Sequence, residues 1–192
     1  MVKFILTYFQ KILTGLLLIT IPCILFAFPD IAISDEQKRL LIGIDLFPSF
    51  LASDQNIRNK KGRDNQLNIV ILYQYDKTTA DNMAQRLNSL GKIRGTPIKV
   101  IASSVYDLEH SKNQTIAGIF IAESMIPLES IINKSIDNNF IIFSPFEGDV
   151  EKGATGGIYI TERIVPYINM ITLRRAKIEM KSFFLRVSKK YD

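Results

Sequence analysis

At 192 residues and 47% hydrophobic composition, the chain has material for one sizeable core but little for two. Its formal charge of +5 counts Lys3 and Lys11 near the N-terminus; without those two lysines the excess falls to +3, too mild to imply nucleic acid as a partner. A single cysteine and a single histidine exclude an internal disulfide, thiolate metal centres and multi-histidine zinc sites.

Residues 1–27 read as an export segment, with a basic start and no charge between Lys11 and Asp30. The small Ala27 follows Leu25 and Phe26, so cleavage is expected after Ala27 and the mature chain begins at Phe28. An uncleaved inner-membrane anchor is the alternative, because the apolar run 12–28 lies near the lower limit of a spanning helix. Cys23 lacks the Leu and small residues that precede a lipidated cysteine. Either way the remainder, 28–192, is expected in the periplasm as one domain.

Ser34, followed by Asp35 and Glu36, predicts a helix start, and Leu40, Leu41, Ile44, Phe47 and Leu51 recur at helical spacing over 35–52. Pro48 within that pattern predicts a kink or an early stop. The polar stretch 53–66 predicts a loop, and the β-branched run 67–73 a strand covered on both faces. Asp76 then caps a helix that carries Ala80, Met83, Ala84, Leu87 and Leu90 on one stripe and ends at Gly91. Strands are predicted at 98–102, 116–122 and 140–143, with Ser124 capping a helix whose first turn holds Pro127. Residues 157–168 give one more strand and a second across a turn near Glu162 and Arg163, and the tail is helical in two pieces. Alternating strands and helices predict a three-layer α/β/α sandwich with a mostly parallel central sheet and an antiparallel edge near the C-terminus.

Within 143–157, Gly148, Gly153, Gly156 and Gly157 are too scattered for a phosphate loop or a dinucleotide fingerprint. The pair Gly156 and Gly157 is read as positive φ or as close backbone approach where one strand is left and another begins. Glu147, Asp149 and Glu151 lack the ligand density of a calcium loop and are expected as a solvated acidic rim around Phe146. His110 lies in a polar stretch and reads as a surface histidine; Ser144 lacks nucleophile-elbow glycines. No catalytic residue, metal ligand or cofactor motif emerges. The basic, aromatic C-terminal stripe with Phe183, Phe184 and Val187 is expected to close the core rather than lie on an anionic membrane.

Near the end, Gly156 and Gly157 precede a strand, a second strand closes in Ile168 and Asn169, and a helix with Ala176 leads to a last helix over 183–187. This order resembles the YfiR-like family of bacterial periplasmic proteins. The resemblance implies an α/β sandwich, often dimeric, without known catalysis, whose namesake binds the periplasmic region of a membrane diguanylate cyclase and holds it inactive. The cysteines that support the namesake's fold have no counterpart here, and the first helix is less aromatic than the family's.

Three functions compete. The first is a non-enzymatic periplasmic regulator that binds the extracytoplasmic domain of a membrane signalling enzyme, a diguanylate cyclase or a histidine kinase. Its candidate contact residues are Ser144, Phe146, Glu147, Asp149, Gly156 and Gly157. The alternative is a periplasmic small-ligand-binding protein with its ligand at the carboxyl ends of the strands, near Tyr73, Tyr75, Ser103, Ser104, Glu123, Ser144 and Glu147. An enzyme comes third. The expected partners are therefore the membrane signalling protein, a second copy of the chain or an unidentified small ligand.

Overall fold

The computed structural model describes residues 34–110 and 115–192, and the segment Ser34–Asp192 clusters as one compact unit. The expected export segment, with Cys23 and the cleavage site, lies outside the described residues. Helix α1 (Asp35–Ser53) starts in a capping box: Ser34 Oγ accepts from the Gln37 amide and Gln37 Oε1 from the Ser34 amide, each at 3.1 Å. Of the kink or early stop expected at Pro48, the stop does not occur: the helix runs on to Ser53. Phe47, Phe50 and Leu51 on either side of Pro48 are fully buried, and that packing outweighs a lost helical bond.

The chain continues through a loop with a short 3-10 turn (Ile57–Asn59) to β1 (Leu67–Tyr73), α2 (Lys77–Asn88), β2 (Lys92–Ile93) and β3 (Thr96–Ser104). Then come α3 (Val105–His110), β4 (Gly118–Ile121), α4 (Glu129–Asn138) and β5 (Ile141–Ser144). The last elements are β6 (Gly156–Ile160), β7 (Ile164–Asn169), α5 (Met170–Arg175), α6 (Ser182–Val187) and β8 (Lys189–Tyr191). The eight strands form one sheet in the order β2-β3-β1-β4-β5-β6-β7-β8. Strands β3, β1, β4, β5 and β6 are parallel; β7 runs antiparallel to β6, as the sequence predicts for this edge. Two short strands, β2 and β8, were not expected, because two or three residues carry no readable period.

Helix α1 packs across the middle of the sheet. Its Phe47 ring lies 5.6 Å from Phe120 and 5.4 Å from Phe143, and Phe50 lies 5.4 Å from Phe143 and 5.3 Å from Phe184 of α6. A Cβ on Gly156 would collide with the Phe50 ring, whereas one on Gly157 would meet the Ser144 carbonyl and Val150. Successive strand residues face opposite sides, so α1 covers one face of the sheet and the chain around Val150 the other. Neither glycine has positive φ; the pair is needed for close approach alone.

The loop between α1 and β1 is held by an ion pair. Asp54, fully buried, meets Lys60 Nζ at 2.5 Å through Oδ2 and caps the Asn56 amide at 2.9 Å through Oδ1. Among the described residues, Asp54 Oδ2 and Lys60 Nζ have no hydrogen-bond partner apart from this ionic contact.

Two helix boundaries differ from expectation. Ser124 does not cap α4, which begins five residues later behind Leu128 with no side-chain cap. Met125 takes a left-handed backbone, φ 65°, so helical geometry cannot start at Ser124. His110 ends a one-and-a-half-turn helix rather than lying in a loop; its ring Nδ1 sits 2.7 Å from the Tyr106 carbonyl and the imidazole stays exposed.

Candidate functional site

In a parallel sheet wound in both directions, the crevice for a ligand opens outside the carboxyl ends of the two strands between which the winding reverses. Here β1 is followed by β3 on one side, and the chain then crosses back to β4 on the other, so the reversal falls between β1 and β4. A crevice of about 330 Å³ lies at that point.

Glu123, two residues beyond β4, builds one wall. Its carboxylate accepts from the backbone amides of three successive residues after β1: Gln74 at 3.1 Å, Tyr75 at 3.0 Å and Asp76 at 2.5 Å. One carboxylate satisfies three donors that would otherwise need water, and this fixes the loop leading into α2. Asp76 caps that helix, accepting from the Thr79 amide at 2.9 Å and the Thr79 hydroxyl at 2.6 Å. Those bonds, the hydroxyl first, hold the Asp76 carboxyl below its ordinary value, so it is ionised at neutral pH.

The apolar side of the crevice comes from Leu40, Ala122 and Phe146, all buried. Ser34, Glu36 and Gln37 at the start of α1, with Ser124 after β4, also line the crevice. Among the described residues, Glu36, Asp76 and Glu123 are the charged groups of the lining, with no lysine or arginine beside them. The crevice is therefore electronegative and suits a neutral polar or cationic group better than an anion. Among the described residues, no three of His, Cys, Asp or Glu converge as metal ligands.

The structure separates the six residues singled out by sequence. Phe146 is buried and lines the crevice. Glu147 is exposed and reaches back to α1, where Arg39 donates to Glu147 Oε2 at 3.3 Å and to the Pro145 carbonyl at 3.2 Å. The expected acidic rim does not form, because the segment turns tightly after Phe146 instead of extending. Asp149 faces inward, accepting from the buried Ser144 hydroxyl at 2.7 Å and from Lys152 Nζ at 3.2 Å. Gly148 and Gly153, at φ 82° and 121°, supply the turns. Gly156 and Gly157 lie in β6 under packed neighbours.

Of the residues named for strand-end binding, Glu123 lines the crevice and the others do not. The sequence reads Ser34 and Asp76 as helix caps and Glu36 as a first-turn acid only, and it does not single out Gln37 or Thr79. Their sequence signal is the same one that starts a helix, and what brings two helix starts to one crevice is the strand order.

No known protein-family pattern matches the chain, and no curated protein matches it. Solved structures are similar to it in fold only where the TM-score exceeds 0.5. It is similar to the ABC domain in complex with L-Trp from Streptococcus pneumonia, at 11% identity and TM-score 0.49, over 79% of this chain and 60% of that one. It is also similar to a conserved domain protein from Vibrio cholerae O1 biovar El Tor, at 12% identity and TM-score 0.52, over 78% of this chain and 60% of that one. The chain thus corresponds to about 60% of the length of these solved structures.

Proposed function

We propose that the chain is a non-enzymatic, extracytoplasmic binding protein that takes a small neutral-polar or cationic ligand in the crevice between β1 and β4. The observation that carries this reading is the place of the crevice: it lies where the strand order reverses, with an apolar floor and an acid-lined rim. Ligand that binds the native state alone raises the unfolding free energy by mass action, by about 2.7 kcal/mol at a hundredfold excess over Kd, and the midpoint rises with it. A thermal-shift screen of amino acids, polyamines, sugars and nucleosides at millimolar concentration tests it. A saturable shift that disappears in Ser124→Trp, which fills the rim, supports the reading. A hit that survives in Ser124→Trp, or a screen without any saturable hit, overturns it.

A second reading, the regulatory one, is favoured by a different observation. Tyr75 and Met125 stand exposed on the two loops that border the crevice. Large apolar side chains at such positions suit a protein surface. In this reading the carboxyl-end face docks on the periplasmic domain of a membrane cyclase or sensor kinase. Capture of that purified domain by wild type but not by Tyr75→Ala/Met125→Ala supports it, and equal capture by both proteins refutes it.

A further inference from the structure

The loop that leads into β1 and the turn that leads into β3 lie together at the amino end of the sheet, since the two strands are parallel and Leu67 pairs with Ile98. Two arginines tie them to each other. Arg58 donates to the Arg94 carbonyl through Nε at 3.3 Å and Nη2 at 3.0 Å, and Arg94 Nη1 donates back to the Asp54 carbonyl at 3.4 Å. Both guanidinium groups thus rest on neutral acceptors, because the buried carboxylate of the loop, that of Asp54, is taken up by Lys60. The backbone under Arg94 adds a second observation. Arg94 and Gly95 have φ of 50° and 81°, and they form the two-residue turn between Ile93 and Thr96, which pair across it. Such a turn favours Asn or Gly at its first position, so an arginine held there in a left-handed backbone brings a cation to the tip that the turn itself does not require.

Charge gathers around these two residues. Lys61, Arg63 and Lys92 are exposed, and none of the five cations has a carboxylate partner among the described residues. Every cation of α1 and α2, by contrast, meets a carboxylate: Lys38, Arg39, Lys77 and Arg86 do so at 2.6 to 3.3 Å. With Asp54 and Lys60 neutralising each other, Asp64 is the remaining acid of the loop and turn. The local excess is therefore four positive charges, whereas the chain apart from Lys3 and Lys11 has an excess of three. The rest of the chain is slightly acidic, and the crevice at the carboxyl end carries Glu36, Asp76 and Glu123. The segment 177–181 lies beside the loop, with the Gln55 amide on the Glu179 carbonyl at 2.8 Å, and sets Lys177 and Lys181 against Glu179.

A protein partner is held at aromatic or apolar anchors, and among the described residues none of the exposed large apolar side chains falls in this loop or turn. Phe183 and Val187, which the sequence assigned to the core, are exposed on α6 instead. A phospholipid surface needs no such anchor. Each Lys or Arg near anionic headgroups adds its own attraction, and a guanidinium makes paired bonds to a phosphate.

We infer that the amino end of the sheet docks on an anionic phospholipid surface, with Arg58 and Arg94 on headgroup phosphates and Lys61, Arg63 and Lys92 supplying the surrounding attraction. The crevice then faces away from the bilayer, at the other end of the strands.

The chain from Ser34 onward contains every residue of the core and lacks the apolar run 12–28, so it is the form to mix with vesicles. Vesicles with about 30% phosphatidylglycerol should co-sediment with it, vesicles of phosphatidylcholine alone should not, and about 0.5 M salt should release it. Lys61→Gln/Arg63→Gln removes side chains that hold no bond among the described residues, and should weaken the partition on the order of twentyfold. Arg58→Gln/Arg94→Gln should do the same. Lys189→Gln/Lys190→Gln removes equal charge from β8, at the far edge of the sheet, and should bind as the wild type does. Absence of binding to the anionic vesicles overturns the inference, as does an equal loss in the 61/63 and 189/190 variants, which would make net charge the cause. Release by millimolar inorganic phosphate at constant ionic strength would assign the arginines to free phosphate, and full displacement by duplex DNA at equal phosphate concentration would assign the face to nucleic acid; either result overturns the lipid contact.

Discussion

The two acids at either end of the turn after β5 should behave in opposite ways when truncated. The side chain of Asp149 is 7% exposed and that of Glu147 is 89% exposed. Asp149→Ala removes the acceptor for the Ser144 hydroxyl, 2.7 Å away and fully buried, and leaves that donor without a partner. Losing a buried bond to a charged acceptor, with a stranded hydroxyl left behind, costs about 2–3 kcal/mol. Lys152, on the wet side of Asp149, adds little, because its own head group is exposed. Ser144 Oγ also accepts from the Phe146 amide at 3.3 Å, so the loss loosens the residue that floors the crevice. Glu147→Ala breaks only the 3.3 Å pair with Arg39, worth about 0–1 kcal/mol at such exposure. For a domain of this length each kcal/mol moves the midpoint by about 2–4 °C. Thermal unfolding followed by circular dichroism should therefore drop by about 4–12 °C for Asp149→Ala and hardly move for Glu147→Ala. Equal shifts in the two variants would refute the account of Asp149 as a structural acid.

Further consequences follow from the same contacts. Glu123→Gln keeps one acceptor oxygen but loses the charge that gathers three amides, so hydrogen exchange at Gln74 to Asp76 should quicken on the order of tenfold while α4 is unaffected; unchanged exchange at these amides would show that the wall stands without the carboxylate. Lys60→Ala strands the buried Asp54 carboxylate and should destabilise by about 3–5 kcal/mol, measured by urea unfolding, whereas a loss under about 1 kcal/mol would mean that water reaches the pair. Gly157→Ala places a methyl against the Ser144 carbonyl and should cost about 1–3 kcal/mol through steric crowding rather than through φ. Burial, with the Glu151 carboxylate beside it, pushes the Tyr167 phenol up to about 12 from an ordinary 10. The folded state then holds a proton that the unfolded state releases, so this contribution to stability is complete below pH 10 and is lost between about pH 10 and 12. Tyr167→Phe should flatten the pH dependence in that window, and an unchanged slope in urea titrations would count against the buried phenol.

Much of the architecture is legible in the sequence because the central strands are buried on both faces. Leu67 to Leu72 need no alternation to be recognised, and Asp76 and Ser34 announce helix starts through side chains that bond their own backbone. Pro48 shows where such local reading fails. The helix continues because Phe47 and Phe50 seat it on Phe120, Phe143 and Phe184, contacts with residues more than seventy positions away. Met125 fails in the other direction: nothing in its identity calls for a left-handed backbone, and that one φ moves the start of α4 to Glu129.

The site is less legible than the fold for a related reason. An acid in a loop reads as solvated unless its partner is known, and Asp149 and Glu123 both have partners that local spacing does not reveal. For Asp149 the partner is the hydroxyl of Ser144, five residues back and on a different element. For Glu123 it is the backbone of a loop nearly fifty residues earlier, brought alongside because β4 pairs with β1 and not with β3. Strand order therefore does two things at once at this end of the sheet. It places Asp76 and Glu123 side by side, and it uses much of their hydrogen-bonding capacity on backbone amides, so that the wall is held by the same acids that give the crevice its charge. In the proposed binding reading, a ligand that enters is met by acceptor oxygens already aligned by these bonds. Such a site is rigid on its charged side, and its adjustable side is the apolar one, where Phe146 rests on a turn held by Ser144 and Asp149.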